Sequence, residues 1–204
     1  MDVLGIDEAG RGSVLGPLVI AGVIVPEKMN KILERMGVKD SKKLAPHRRT
    51  ILSRKLKKMF DYEIVVISAL QIDEMRADGI NLNDIEKNAM RDLIIKMNPE
   101  KAIVDAVDVK AERFQANLCQ TTGVNVIAEH KADDKYIQVS AASIIAKAER
   151  DAQIEEINRE YIKMGGIGSG YPSDPTTKEF LTNFTYAEMP DFVRRSWATV
   201  AKMR

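Results

Sequence analysis

Cysteine is nearly absent: Cys119 stands alone among 204 residues, so no internal disulfide can form, and within a predicted helix it reads as packing. Aromatic side chains make up only 5% of the chain, so an aromatic placed in a loop calls for a reason. No apolar run approaches the roughly 18–20 residues that cross a bilayer, which excludes a spanning helix and leaves no membrane partner expected. The first residues enter a predicted strand at once, as Val3-Leu4-Gly5-Ile6, with neither the basic flank nor the cleavage site of a leader. A cytoplasmic location is the expectation. Internal repeats and low-complexity stretches are also missing. Acidic residues are missing locally: none occurs from Ser41 to Phe60, where Lys42, Lys43, Arg48, Arg49, Arg54, Lys55, Lys57 and Lys58 all fall.

What is present, 45% apolar and 30% charged residues, describes an ordinary soluble protein rather than a disordered one. The chain is long for one compact domain and short for two. A net charge of +1 argues weakly against a nucleic-acid partner, since such proteins often run strongly basic. The average conceals the basic stretch after Ser41. Arg54 to Lys58 suit the solvated face of an amphipathic helix as well as an anion site. Lys42 and Lys43, in a loop ahead of that helix, suit anion binding better.

Short apolar runs at Val3–Asp7, Leu18–Val25 and Glu63–Ile67 read as strands. The Gly-rich connection between the first two suggests an antiparallel hairpin with a longer than usual turn. Pro46 opens a helix to about Phe60. Asn83–Met97 places Ile85, Ala89, Leu93 and Met97 on one helical face. Ala102–Asp105 and Val124–Ala128 are predicted strands around a helix containing Phe114 and Leu118, an alternation that favours parallel pairing with helices on the sheet. The longest helix signal runs from Ser140 to Met164 and ends at Gly165-Gly166. The order β-β-β-α-β-α-β-α describes an α/β fold. Residues 1–164 form its main domain, and 165–204 a Gly/Pro-rich loop with one or two short helices.

Gly5-Ile6-Asp7-Glu8-Ala9-Gly10-Arg11-Gly12 sets two carboxylates where a buried strand runs into a glycine-rich loop. Burying an unpaired carboxylate is costly, so such groups are exposed, paired or bound to metal. Adjacent strand residues face opposite ways, so Asp7 is expected to point into a site and Glu8 to reach it from the strand's end. Arg11-Gly12 replaces the Lys-Ser/Thr of a Walker A loop, and the glycine spacing misses a dinucleotide fingerprint by one residue. A tight structural turn is the plain alternative. Asp105 ends its strand, where an aspartate also commonly caps a turn. Asp108, beyond the strand, is expected to cap the next helix. His130-Lys131-Ala132-Asp133-Asp134-Lys135 precedes Ser140-Ala141-Ala142-Ser143, small residues that let a helix approach its neighbour, with Lys147 on the face of Ser143. Taken alone, Asp133 and Asp134 suit the acidic first turn of a helix. Tyr171, held in Gly168-Ser169-Gly170-Tyr171-Pro172-Ser173-Asp174-Pro175, suits stacking or sugar contact, or equally a packed turn.

Together these segments closely resemble the ribonuclease HII family in its archaeal form. GIDEAGRG at 5–12, DSKKL at 40–44, IVDA at 103–106, HKAD at 130–133, SAASIIAK at 140–147, GSGYPSDP at 168–175 and RRSW at 194–197 follow in order over nearly the whole chain. The resemblance implies a ribonuclease H-like fold: a five-stranded mixed sheet flanked by helices, plus a small C-terminal helical region. It implies catalytic, metal-binding acids at Asp7, Glu8, Asp105 and Asp133, the last chosen over Asp134 because it lies seven residues before the SAAS segment. It also implies substrate contacts. Gly10, Arg11 and Gly12 would meet an RNA–DNA junction through their backbone, and Lys42 and Lys43 would contact phosphate. Tyr171 would sense a ribose 2′-hydroxyl and stack on the adjoining sugar, and Arg195 would lie near the substrate groove.

The physics of the acids agrees. Carboxylates a few ångströms apart repel by roughly 4 kcal/mol per pair at an effective dielectric of 20, so without a cation some take up protons. Oxygen-only ligands select hard ions, hence Mg²⁺ or Mn²⁺. Two such ions roughly 3.5–4 Å apart activate the attacking water and neutralise the leaving 3′ oxygen. The expected enzyme cuts the RNA strand of RNA–DNA hybrids and nicks 5′ of ribonucleotides embedded in duplex DNA, leaving 3′-hydroxyl and 5′-phosphate ends. The 2′-hydroxyl distinguishes RNA from DNA. A monomer is expected. Ala201-Lys202-Met203-Arg204 carries no glutamine–aliphatic–aromatic pattern, so a sliding-clamp contact is unsupported. A sugar-kinase-like or actin-like phosphotransferase would need a second phosphate loop and a duplicated domain. A non-catalytic nucleic-acid-binding module would leave four acids repelling phosphate. A metal nuclease of DNA junctions would leave Tyr171 and the Gly-Arg-Gly loop unexplained.

Overall fold

The computed structural model describes residues 1–204, except that the side chain of Asp40, which opens the DSKKL segment, lies outside the described residues. In chain order the elements are β1 (Asp2–Ala9), β2 (Leu18–Pro26), α1 (Asn30–Arg35), α2 (Pro46–Met59), β3 (Tyr62–Ile67), α3 (Ala69–Ala77) and α4 (Leu82–Met97). There follow β4 (Lys101–Asp105), α5 (Ala111–Thr122), β5 (Asn125–Glu129), α6 (Ala132–Lys135), α7 (Ile137–Glu160), α8 (Pro175–Leu181) and α9 (Ala198–Ala201). The strands form one sheet in the order β3-β2-β1-β4-β5. β1 and β2 pair antiparallel from Asp2 opposite Pro26 to Ala9 opposite Val19, the predicted long-turn hairpin. β1–β4 and β4–β5 are parallel, so the sheet is mixed, and α5 supplies the crossover that the second parallel step requires.

Three local expectations change. The first three strands are not consecutive elements: besides the helix expected from Pro46, now α2, a short α1 also stands between β2 and β3. Neither α1 nor α3 figures in the sequence reading: α1 buries only Leu33, too little to show a period. α3 did carry a start signal, a capping box in which Ser68 accepts from the Gln71 N–H and the Gln71 side chain accepts from the Ser68 N–H. The long helix stops at Glu160, and Ile162–Met164 tightens into a 3-10 turn before Gly165, which is left-handed at φ 90°. The Tyr161 ring, which follows the helix, packs edge-on against Phe180 and Phe192.

The chain forms two compact units, residues 1–9, 19–65 and 83–148 in the first, and 10–18, 66–82 and 149–204 in the second. In the first, Val19, Ala21, Val23 and Val25 of β2 pack with Leu52 and Leu56 of α2 and with Ala141, Ile144 and Ile145 of α7. The small-residue start of α7 allows this closeness. A Cβ at Gly5 would sit 2.2 Å from the Gln138 carbonyl, so no side chain fits at that position. In the second unit, Val14 and Leu15 join Ile154, Ile167, Phe180 and Val193 in a separate core. Among the described residues no helix is long and apolar enough to cross a membrane.

Candidate active site

The first unit brings the acids together by register. β1 and β4 are parallel with Ile6 opposite Val104, so the next residues, Asp7 and Asp105, fall side by side at the strand ends. The chain leaves β5 and passes through Lys131, a non-glycine residue at φ 56°. That uncommon backbone turns it directly into α6. The first turn of α6 carries Asp133, which is buried, and Asp134, which is exposed. Asp105 accepts the Ala132 N–H at 3.0 Å, tying the end of β4 to α6.

Each acid in this series feels the next. Burial pushes the Asp7 carboxyl up to about 7; the Ser143 hydroxyl opposes the shift, and the charge of Asp105 adds to it. The Glu8 N–H, 2.8 Å from Asp7, and Lys147 pull it back down. Asp105 is also raised, first by burial and then by Asp133, against the Ala132 and Lys131 N–H groups and Lys42. Lys42 lies 3.2 Å from Asp133 and 2.7 Å from Asp134. Its bond to Asp134 is the main reason that its own ammonium is raised and that Asp134 is held low. Glu129, level with Asp105 on β5, is committed elsewhere. It pairs with Lys135, which chiefly holds it low, and accepts from the Tyr136 hydroxyl at 2.6 Å.

β1 stays regular through Ala9, so Glu8, half-buried at the level of Ile20, alternates to the other face from Asp7. Asp108 is not the N-cap of α5, a position held by Lys110. Instead its carboxylate accepts the Lys110 N–H at 3.2 Å and binds Arg113 through two oxygens. Among the described residues no three Asp, Glu, His or Cys side chains stand close enough to cage an ion. The donor set is nonetheless all oxygen, and raised values at Asp7 and Asp105 mark carboxylates whose ionised forms call for a cation beside them. That chemistry fits a hard divalent ion. Lys43 is exposed beside Lys42.

The second unit holds the Gly10–Gly12 loop, Tyr171 and Arg195. Gly10 is left-handed at φ 84°, and a Cβ there would meet the Arg150 side chain and the Pro17 carbonyl at 2.6 Å. At Gly12 an added Cβ would meet nothing within 4 Å, so the fold itself does not demand glycine there. The Val14 and Leu15 N–H groups both donate to the Gly170 carbonyl, at 2.8 and 3.1 Å, which joins this loop to the tyrosine loop. Arg150 is the hub between them. It is buried, donates to the Ser169 carbonyl at 3.1 Å, and holds its guanidinium 4.8 Å from the centre of the half-exposed Tyr171 ring. Arg194, fully buried, donates to the Arg11 and Gly16 carbonyls at 3.0 and 3.1 Å. Arg150 did not stand out in the sequence, and within the RRSW segment only Arg195 was given a role. Arg195 instead anchors locally: its N–H donates to Asp73 at 2.7 Å and its guanidinium to the Met189 carbonyl.

Comparison with known proteins gives this geometry a context. The sequence model described as ribonuclease HII matches residues 4–200. The ribonuclease HII of Methanobrevibacter smithii is 79% identical over 204 residues, covering 100% of this chain and 99% of that one. The solved ribonuclease H2 of Pyrococcus horikoshii OT3 superposes with a TM-score of 0.89 at 43% identity, over 100% of this chain and 97% of that one. The ribonuclease HII of Archaeoglobus fulgidus, solved in complex with PCNA, gives 0.87 at 44% identity, over 97% and 95%. The sheet is therefore that of the ribonuclease H-like fold, as the resemblance implied. The chain belongs to the ribonuclease HII family, as a metal-dependent type 2 ribonuclease H with endonuclease activity.

Proposed function

We propose that this protein cuts the RNA strand of RNA–DNA hybrids and nicks on the 5′ side of a ribonucleotide embedded in duplex DNA, leaving 3′-hydroxyl and 5′-phosphate ends. The observation that supports this most is the series Asp7, Asp105 and Asp133, gathered at neighbouring strand and helix ends with two of its carboxyls pushed upward. These three carboxylates are proposed to hold Mg²⁺ or Mn²⁺, with Glu8, whose side chain alternates to the other face, contributing its backbone carbonyl. When bound, two such ions supply an activated water and neutralise the leaving 3′ oxygen. Lys42 balances Asp133 and Asp134, and with Lys43 it is the proposed phosphate contact.

In the second unit, open space at Gly12 leaves room for a nucleic-acid backbone to approach the Gly10-Arg11-Gly12 peptides. Arg150 presents Tyr171 with one ring face braced, leaving the half-exposed ring for the sugar bearing the 2′-hydroxyl. Function thus divides the chain into residues 1–164 with the acids and 165–204 with the tyrosine loop and Arg195, in a monomeric, cytoplasmic protein.

A DNA duplex with one embedded ribonucleotide, incubated with Mg²⁺ or Mn²⁺ and then with chelator, tests the reading. Nicking 5′ of the ribonucleotide that chelator abolishes is expected; intact duplex in both metals would sink it. Tyr171→Ala should lower single-ribonucleotide nicking about tenfold, within the 1–3 kcal/mol typical of a lost stacking partner. Long hybrid tracts should be cut nearly as before. Equal losses on both substrates would make Tyr171 a structural neighbour of Arg150 only.

A further inference from the structure

A cavity of about 360 Å³ opens in the second unit, lined by Asp73, Arg76, Tyr186, Arg195, Ser196 and Arg204 among others. Its one lining acid, Asp73, already accepts from the Arg195 N–H at 2.7 Å and from the Ser196 N–H at 3.0 Å and hydroxyl. Three guanidiniums remain. Arg76 lies over the Trp197 ring at 5.2 Å, and Arg204 lies over the Tyr186 ring at 5.0 Å while donating to its hydroxyl. The rings fix these cations without bringing a formal negative charge, and each guanidinium keeps N–H donors to spare. Arg195 binds the Met189 carbonyl with Asp191 3.9 Å away, yet its buried Nε has no hydrogen-bond partner among the described residues. Several surface cations elsewhere have a carboxylate of their own, as in Arg113–Asp108, Arg159–Glu155 and Lys96–Glu63. Here three cations face a single acid that is already satisfied.

We propose that this cavity is a phosphate site and, on the functional reading above, that its ligand is a phosphodiester of the strand flanking the cut. Guanidinium forks match the oxygens of a phosphate, and Arg76 and Arg204 arrive pre-oriented. The cavity also has a link to the loop proposed to read the junction. Trp197 contacts Arg194 as well as Arg76, at 4.7 Å, and Arg194 donates to the Arg11 carbonyl. A phosphate drawn to Arg76 therefore acts on the same ring that braces the Gly10–Gly12 loop.

Trp197 is the sole tryptophan and lies against Arg76 of the cavity wall, so its fluorescence reports on binding there. The full chain, in chelator at constant ionic strength, is titrated with inorganic phosphate, with chloride as control, and with a DNA duplex lacking ribonucleotides. A saturable change with phosphate is expected, and prior saturation with duplex should weaken it at least threefold. R76Q combined with R204Q should weaken the phosphate response about tenfold and lower the salt slope of duplex binding by roughly 1–2, at about 0.9 per lost phosphate contact. R76K should retain most of both. A response that chloride reproduces, or no saturable response, would overturn the site. Phosphate binding without duplex competition would overturn the strand assignment, leaving a site for free anions. The wild-type competition decides the matter even if the double variant fails to fold. No metal or ribonucleotide is needed, so failure to nick would overturn the proposed function and leave this site standing.

Discussion

Asp7→Asn is expected to reduce strand cleavage about 10³-fold or more, as loss of one member of a cooperating catalytic group commonly does, while making the metal-free protein more stable. Both effects follow from burial of this carboxyl beside Asp105, which pushes it from its ordinary 3.8 up to about 7. It binds its proton more tightly in the folded than in the unfolded chain. Its stabilising contribution is therefore fully present below pH 3.8 and is lost as pH rises through about 7. Above that pH, in chelator, wild type carries an ionised buried carboxylate, a cost on the order of 4 kcal/mol. Asparagine keeps the shape and removes the charge. Thermal melts at pH 8 in chelator should show the variant higher by roughly 8–16 °C, using 2–4 °C per kcal/mol for a chain of this size. The gap should close at pH 4, where both side chains are neutral. Duplex binding should persist. A variant that nicks at more than a tenth of the wild-type rate would remove Asp7 from the catalytic set, and equal melting at pH 8 would remove the buried charge.

Local periodicity and punctuation made much of this legible in advance. Pro17, Pro26 and Pro46 bounded β2 and opened α2, and the apolar face of Ile85, Leu93 and Met97 marked α4. The carboxylates were legible because a charged residue ending an apolar strand is costly wherever it is not used, and register then set Asp7 beside Asp105. The turn at Lys131 was not, since nothing in a lysine announces a left-handed backbone. The division of labour between Asp133 and Asp134 needed the fold of α6, which buries one and leaves the other to Lys42 in the open. Arg150 and Arg194 were hidden for a different reason. An arginine in sequence reads as surface charge, and these two are buried only because distant segments supply carbonyls and rings to them. The faint signals were their partners: Gly10, which leaves room for Arg150, and the scarce aromatics Tyr171 and Trp197, which face guanidiniums.

Arg194→Ala should cost the second unit about 3–5 kcal/mol, from two carbonyls that each lose a donor and an arginine-sized void. The side chain is fully buried, its Nε bonded to Gly16 and its Nη1 to Arg11, with the Trp197 ring 4.7 Å away. Burial, with the nearby charge of Arg150, pushes its guanidinium down to about 9, so it remains protonated at neutral pH. A cation is held there at a cost that an apolar side chain would avoid, which suggests a role beyond packing. Arg194→Met separates the two contributions. Methionine fills most of the volume, so much of the melting temperature lost in the alanine variant, roughly 10 °C, should return. It offers the Arg11 and Gly16 carbonyls no donor, so the Gly10–Gly12 loop should stay loosely held. Single-ribonucleotide nicking should then remain about tenfold low, the equivalent of roughly 1.4 kcal/mol, even where the protein is fully folded. Recovery of both melting temperature and nicking in Arg194→Met would reduce the arginine to a space-filler. Recovery of the first without the second would place Arg194 in the positioning of the junction loop.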